Sequence, residues 1–121
     1  MNMHTTDIDV TVLFNKGIEE QNIGNLDTAI KIYDEIINIK PDHCRSLHNK
    51  ACVLALQNEL IGALKAFEGA LNLNPNVGLY WINYIKTLVR LDRISEAKAL
   101  IVASKGANLF CKDMEALSLK I

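Results

Sequence analysis

The 121-residue chain has no excess of charge of either sign: 13 basic and 14 acidic side chains leave a formal net charge of −1. Bulk binding to nucleic acid or to an anionic membrane surface needs a one-sided field, so neither partner is expected. Long apolar runs are missing too. The longest, Ala51 to Leu56, is far short of the ~20 residues of a membrane-crossing helix. The opening Met1-Asn2-Met3-His4-Thr5-Thr6-Asp7 has neither the basic nor the apolar segment of a secretory signal. Cysteine is scarce and odd in number. Cys44, Cys52 and Cys111 make no disulfide framework. Cys44 and Cys52 fall two helical turns apart, ~12 Å by helical rise, too far for a bridge within one helix. A reducing cytoplasm is the simplest setting. There is no glycine-rich phosphate loop, and no strand pattern on which to mount one. Nothing marks a nucleophile with an oriented base, and the chain reads as non-catalytic, with no cofactor.

Proline is scarce as well, but Pro41 and Pro75 stand 34 residues apart. The same spacing recurs at Asn15, Asn49 and Asn83, and at Ala29, Ala63 and Ala97. It holds by chemical type at Leu13, Leu47 and Trp81, and at Leu26, Leu60 and Ile94. A fixed period of this length means stacked units. Each unit reads as two helices. Leu47, Lys50, Ala51 and Leu54 form one helical stripe. Leu60, Ala63, Leu64, Phe67, Ala70 and Leu71 form a second. The turns between them place Gly24, Asn58 and Asp92 in register, the residue types that best tolerate a left-handed backbone. Proline closes the second helix. The alanines are small where helices approach closely, with Tyr33, Phe67 and Ile101 filling the space beside them. In the first helix Lys16 and Glu20 sit four apart on a stripe with one neighbouring unit and can pair. Lys50 is expected to pack its stem and keep its ammonium in water. Trp81 is expected to be the buried anchor of unit three.

With a large residue, a small residue, alanine, an aromatic and proline at set offsets, the pattern resembles the tetratricopeptide repeat. Unit one spans about 10–43 (Leu13, Gly17, Ala29, Tyr33, Pro41). Unit two spans about 44–77 (Leu47, Ala51, Leu54, Ala63, Phe67, Ala70, Pro75). Unit three spans about 78–108 (Trp81, Tyr84, Leu88, Ala97). Unit three departs late, with Ile101 for the aromatic, Ser104 for alanine and Leu109 for proline. Gly106 reads as a helix cap. Residues 111–121, with Met114, Leu117 and Ile121 at helical spacing, look like a capping helix. The resemblance implies one all-α domain over 1–121, a right-handed solenoid of three antiparallel helix pairs plus a cap. From Tyr80 onward the chain is also similar to the last repeat of bacterial proteins whose repeats precede a sugar- or group-transferring domain.

In this family the first helices line a concave groove. The residues carried over to it are Thr11, Phe14, Asn15, Ile18, Gln21 and Asn22 from unit one. Unit two gives Arg45, His48, Asn49, Cys52, Ala55 and Leu56. Unit three gives Leu79, Ile82, Asn83, Lys86, Val89 and Arg90. An asparagine amide can bind both the C=O and the N–H of a peptide backbone. The row of three is similar to the ladder that holds substrate polypeptide in the repeat region of protein O-linked N-acetylglucosamine transferase. Phe14, Ile18, Leu79, Ile82 and Val89 offer apolar contact, and Arg45, Lys86 and Arg90 offer charge. The implied role is a protein- or peptide-binding adaptor whose ligand has apolar and acidic character. The alternatives are self-assembly through the exposed apolar residues and a recruitment module for a glycosyltransferase-type enzyme. The basic clamp by which some relatives hold chaperone C-termini would fall on Phe14, Ile18, Asn49, Leu79 and Asn83, and only Asn49 fits it. Cys44, His48 and Cys52 share a helix side, with His43 nearby, but match no zinc spacing, so no metal is expected. Asp7 with Asp9, and Asp34 with Glu35, read as solvated surface, and His4 as part of a loose terminus.

Overall fold

The computed structural model describes residues 3–121, with side chains from Asp9 onward, so the side chains of His4 and Asp7 lie outside the described residues. Among these residues are seven helices: α1 (Met3–Asn22), α2 (Leu26–Ile39), α3 (Cys44–Leu56), α4 (Leu60–Leu73), α5 (Gly78–Arg90), α6 (Ile94–Gly106) and α7 (Lys112–Ser118). Each of α1 to α5 packs on the next, and α7 lies against both α5 and α6. The result is a solenoid of three antiparallel pairs closed by a short helix.

The turns within the pairs are near copies of one another. Gly24, Asn58 and Asp92 take positive φ of 88°, 62° and 59°, as their residue types predict. Each turn is locked by a long-range backbone bond: Asn25 N–H to Glu20 O, Glu59 N–H to Leu54 O and Arg93 N–H to Leu88 O, at 2.8–2.9 Å. This bond satisfies a carbonyl that the helix end would otherwise leave without a partner. The pairs are separated differently. Lys40 and Asn74, each before a proline, adopt nearly the same extended backbone (φ −137°, ψ 85° and φ −142°, ψ 85°), which the following ring favours. After α6 there is no proline, and the first kind of turn reappears. The expected glycine cap is displaced: Gly106 is the last residue of α6, and Asn108 takes the positive φ of 63°. Leu109 N–H then closes onto Ser104 O at 2.8 Å.

The core runs along the array as a series of clusters rather than one centre. Ala29, Ala63 and Ala97 are fully buried. The residues facing them are matched in size across the helix pair. Gly17 meets Tyr33 so closely that an added Cβ would lie 2.6 Å from Tyr33 Cε1. In unit two Ala51 shares a cluster with Phe67, and in unit three Ile85 shares one with Ile101. As the second-helix residue shrinks from Tyr to Phe to Ile, its first-helix partner grows from Gly to Ala to Ile. The two changes run in opposite directions, which dense packing favours.

The buried face of the first helices is wider than the expected stripe: it keeps Gly17, Ala51 and Leu88 and extends to the next residue after the unit's large one. Leu13, Leu47 and Trp81 are half-buried, while Phe14, His48 and Ile82, the next residues, are 5%, 7% and 4% exposed. Trp81 is therefore not a buried anchor. Its indole N–H donates to Pro75 O at 2.7 Å, near solvent. The reason is that each first helix is covered on two sides, by its own second helix and by the next unit. Phe14 lies between Tyr33 (6.1 Å between ring centres) and His43 (5.2 Å). At the far end Met114 of α7 is fully buried, with Leu117 and Ile121 packed on the same cluster, so α7 covers the open face of unit three. Lys16 pairs with Glu20 at 3.2 Å. Lys50 reaches Asp34 of the preceding unit at 2.6 Å, so Asp34 bridges two units.

Candidate functional site: the concave groove

Two adjoining cavities follow the seams of the first helices. The one between α3 and α5 is about 320 Å³ and is lined by Cys52, Ala55, Leu56, Phe67, Asn83, Lys86, Thr87 and Arg90. The other, about 350 Å³, is lined by Arg45, His48, Asn49, Val77, Leu79 and Tyr80. Both have apolar floors. Leu56 and Leu79 stand 68% and 55% exposed at them. No carboxylate lines either cavity, yet three cations do. Among the described residues the ion pairs are Lys16 with Glu19 and Glu20, Lys50 with Asp34, and Arg93 with Glu96. None of these involves Arg45, Lys86 or Arg90. The Arg45 guanidinium lies over the Phe14 ring at 4.5 Å, a cation–π contact that leaves its charge uncompensated. Arg90 reaches Ala55 O at 3.4 Å and Asn58 Oδ1 at 3.3 Å, both neutral acceptors.

The asparagine row is not uniform. Asn15 is exposed. Asn49 Nδ2 donates to Tyr33 Oη at 3.4 Å, and that hydroxyl donates to Gln21 Oε1 at 2.8 Å. Asn83 Nδ2 lies 2.9 Å from His48 Nε2. The α5 backbone beneath it is pinned by Thr87 Oγ1, which donates to Asn83 O at 2.8 Å. Asn49 and Asn83 thus each hold one amide hydrogen in a seam, and Asn49 also interacts with the His48 ring.

His48 is buried between the rings of Phe67 and Tyr80, at 5.4 and 4.7 Å. Burial lowers its pKa below the ordinary histidine value, and the ring is neutral at pH 7. Cys52 Sγ lies 3.8 Å from His48 Nε2, and burial pushes its thiol up to about 11, so it is not a ready thiolate. Cys44 points the other way, toward Asp42 O, and His43 serves as the N-cap of α3, its Nδ1 accepting from Ser46 N at 3.2 Å. The Cys44–His48–Cys52 face therefore does not converge, and among the described residues no three metal-ligating side chains do.

Of the residues read from sequence, Arg45, His48, Asn49, Cys52, Leu79, Asn83, Lys86 and Arg90 line the cavities. Phe14 and Ile82 are turned into the seams, where they leave little surface for a ligand, and Ile18 packs on the unit-one cluster. Sequence reasoning missed Phe67, Thr87, Val77 and Tyr80 as lining residues. Phe67 carries a core signal only, and at 2% exposed it forms part of the floor of the gap between α3 and α5.

Residues 10–43 match the sequence model described as "Tetratricopeptide repeat". Over 63 residues, 52% of the chain, it is 30% identical to Tetratricopeptide repeat protein 36 of Mus musculus, and it spans 34% of that relative's length. Among solved structures, the first TPR of Spaghetti (RPAP3), bound to an HSP90 peptide, superposes with a TM-score of 0.83 at 19% identity, over 92% of this chain and 88% of that one. The O-GlcNAc transferase of Thermobaculum terrenum gives 0.76 at 18% identity, over 84% of this chain and 19% of that one. At these identities the structural likeness is one of fold. No described helix is long and apolar enough to cross a membrane.

Proposed function

We propose that the chain is a tetratricopeptide-repeat protein and acts as a non-catalytic adaptor whose concave groove holds an extended peptide with apolar and acidic side chains. One observation carries this: Arg45, Lys86 and Arg90 line apolar cavities that contain no carboxylate, in a chain of net charge −1 whose ion pairs among the described residues form elsewhere. Leu56 and Leu79 take the apolar side chains. Asn49 and Asn83 take backbone groups, whatever the ligand sequence. The relative bound to an HSP90 peptide uses the same fold to hold peptide. The basic clamp for chaperone C-termini is not carried over here, since Phe14 and Ile18 stand at two of its positions and Leu79 at another.

The test is a calorimetric titration with an acidic-apolar peptide and with the same peptide carrying lysine for each carboxylate. The acidic peptide is expected to bind more tightly, and Arg90→Glu to weaken it by on the order of 1 kcal/mol. Equal binding of the two peptides contradicts the reading. The exposure of Leu56 and Leu79 favours one second reading, a self-interface between copies of the chain. Light scattering across a concentration series separates the two: a monomer leaves the groove open, and a stable dimer supports self-assembly.

A further inference from the structure

The two inner rungs differ in what holds them. Asn49 leans on a tyrosine hydroxyl, which near neutral pH does not titrate. Asn83 leans on an imidazole nitrogen, which can be either an acceptor or a donor. We propose that His48 sets which end of the Asn83 amide faces the groove, so that protonation of His48 turns this rung from a hydrogen-bond acceptor into a donor.

A neutral ring carries its hydrogen on either nitrogen, and the placement of Asn83 Nδ2 against Nε2 fits the tautomer with that hydrogen on Nδ1. In that tautomer Nε2 carries a lone pair and takes the Asn83 Nδ2 hydrogen across 2.9 Å, leaving Oδ1 for the groove. With a protonated ring, Nε2 carries hydrogen and cannot accept. Two N–H groups would then face each other at that distance with no lone pair between them. A half-turn of the amide resolves the conflict: Oδ1 accepts from Nε2–H, and the NH₂ group faces the cavity that Asn83 shares with Lys86 and Arg90. No backbone movement is needed, because the amide exchanges two atoms of similar size.

The surroundings permit the charged state without favouring it. The titratable and charged groups around His48 are Arg45 and Cys52 on its own helix, and Tyr80 and Lys86 on α5, while α4 presents the Phe67 ring. No carboxylate is among its described contacts, and burial opposes ionisation while a hydrogen bond with the Asn49 side chain favours it. An imidazolium between two aromatic faces at 4.7 and 5.4 Å also gains cation–π attraction. Protonation thus belongs to mildly acidic conditions, below the ordinary histidine range near 6.5. A bound carboxylate would stabilise the added charge, so ligand and proton promote each other's binding. The consequence for binding rests on the groove reading above. The amide reversal itself does not.

The test is a pH titration of the ¹⁵N-labelled full chain by NMR, with no ligand, following the His48 ring nitrogens and the Asn83 side-chain NH₂. Both are expected to move with one midpoint, below that of an ordinary histidine, and the Asn83 response is expected to vanish in His48→Phe. An Asn83 NH₂ signal that stays fixed while His48 titrates overturns the proposal, as does an unchanged Asn83 response in His48→Phe. So does loss of the dispersed Phe67 and Tyr80 ring signals over the same range, which would mean that the seam opens instead. In a second arm, the acidic-apolar peptide is expected to bind several-fold more tightly as pH falls through the midpoint. If it binds at no pH while Asn83 still responds, the groove reading fails and the reversal stands.

Discussion

The seam between units one and two and the seam between units two and three occupy equivalent positions and solve the same packing problem differently. In the first, Phe14 packs on Tyr33, and the tyrosine hydroxyl ties Gln21 and Asn49 together. In the second, His48 packs on Phe67, which has no hydroxyl to offer, and the imidazole nitrogen takes over as partner of the asparagine. One aromatic position and one polar tie are kept in each seam, but the polar atom has moved from the second helix to the first. A repeat can keep a polar tie to its asparagine while relocating the group that supplies it. The relocation puts a titratable group against the asparagine of the second seam, whereas in the first seam the titratable His43 packs on Phe14 and not on the asparagine.

The heaviest blow to this comparison is Phe67→Ala. It removes the ring on which His48 and Ala51 both depend, and is expected to cost roughly 3–5 kcal/mol in chemical denaturation. Gly17→Ala acts on the first seam. Its methyl would meet the enclosed Tyr33 ring at 2.6 Å, and overpacking of this kind costs about 1–3 kcal/mol, more than the gain in helix propensity. Pairing it with Tyr33→Ile, as unit three pairs Ile85 with Ile101, should recover part of the loss and appear as a favourable coupling in a double-mutant cycle. Tyr33→Phe keeps the ring and removes the hydroxyl. It should cost on the order of 1 kcal/mol, and the Asn49 amide should lose its resolved NMR shift.

The smallest expected effect is on the pH dependence of stability. His43 and His48 both have pKa values lowered by burial. As pH falls below the unfolded value near 6.5, the unfolded chain takes up protons that the folded chain refuses, so stability declines until the folded values are reached. His43 belongs to this account because its Nδ1 must stay free of hydrogen to cap α3. Thermal midpoints should be level above pH 7 and drop below it, and less so in His48→Phe. A midpoint that rises on acidification contradicts the assignment.

The solenoid was legible because its determinants are local. Gly24, Asn58 and Asp92 announce positive φ by residue type, and Pro41 and Pro75 constrain Lys40 and Asn74 directly. The last turn was misplaced from Gly106 to Asn108 because both types tolerate a left-handed backbone, and only the length of α6 chooses between them. The buried stripe was less legible. Leu13 and Phe14 are both large and apolar, so periodicity alone cannot say which is the more deeply buried, and neighbours lie about 100° apart around a helix. The wide buried face takes Phe14 and Ile82 out of the groove. Lys86, Arg90 and Leu79 keep their places in it because polar character or chain position holds them outside. The His48–Asn83 tie had no sequence signal at all. It depends on the absence of one oxygen from Phe67, a residue distant in sequence from both.

The most direct measurement is a chemical-shift map of the ¹⁵N-labelled chain titrated with the acidic-apolar peptide at pH 7. The account predicts saturable shifts concentrated at Asn49, Leu79, Asn83, Lys86 and Arg90, with little change on the outward faces of α2, α4 and α6. Shifts spread over those outer faces, or saturable binding that leaves Asn83, Lys86 and Arg90 unmoved, would contradict it.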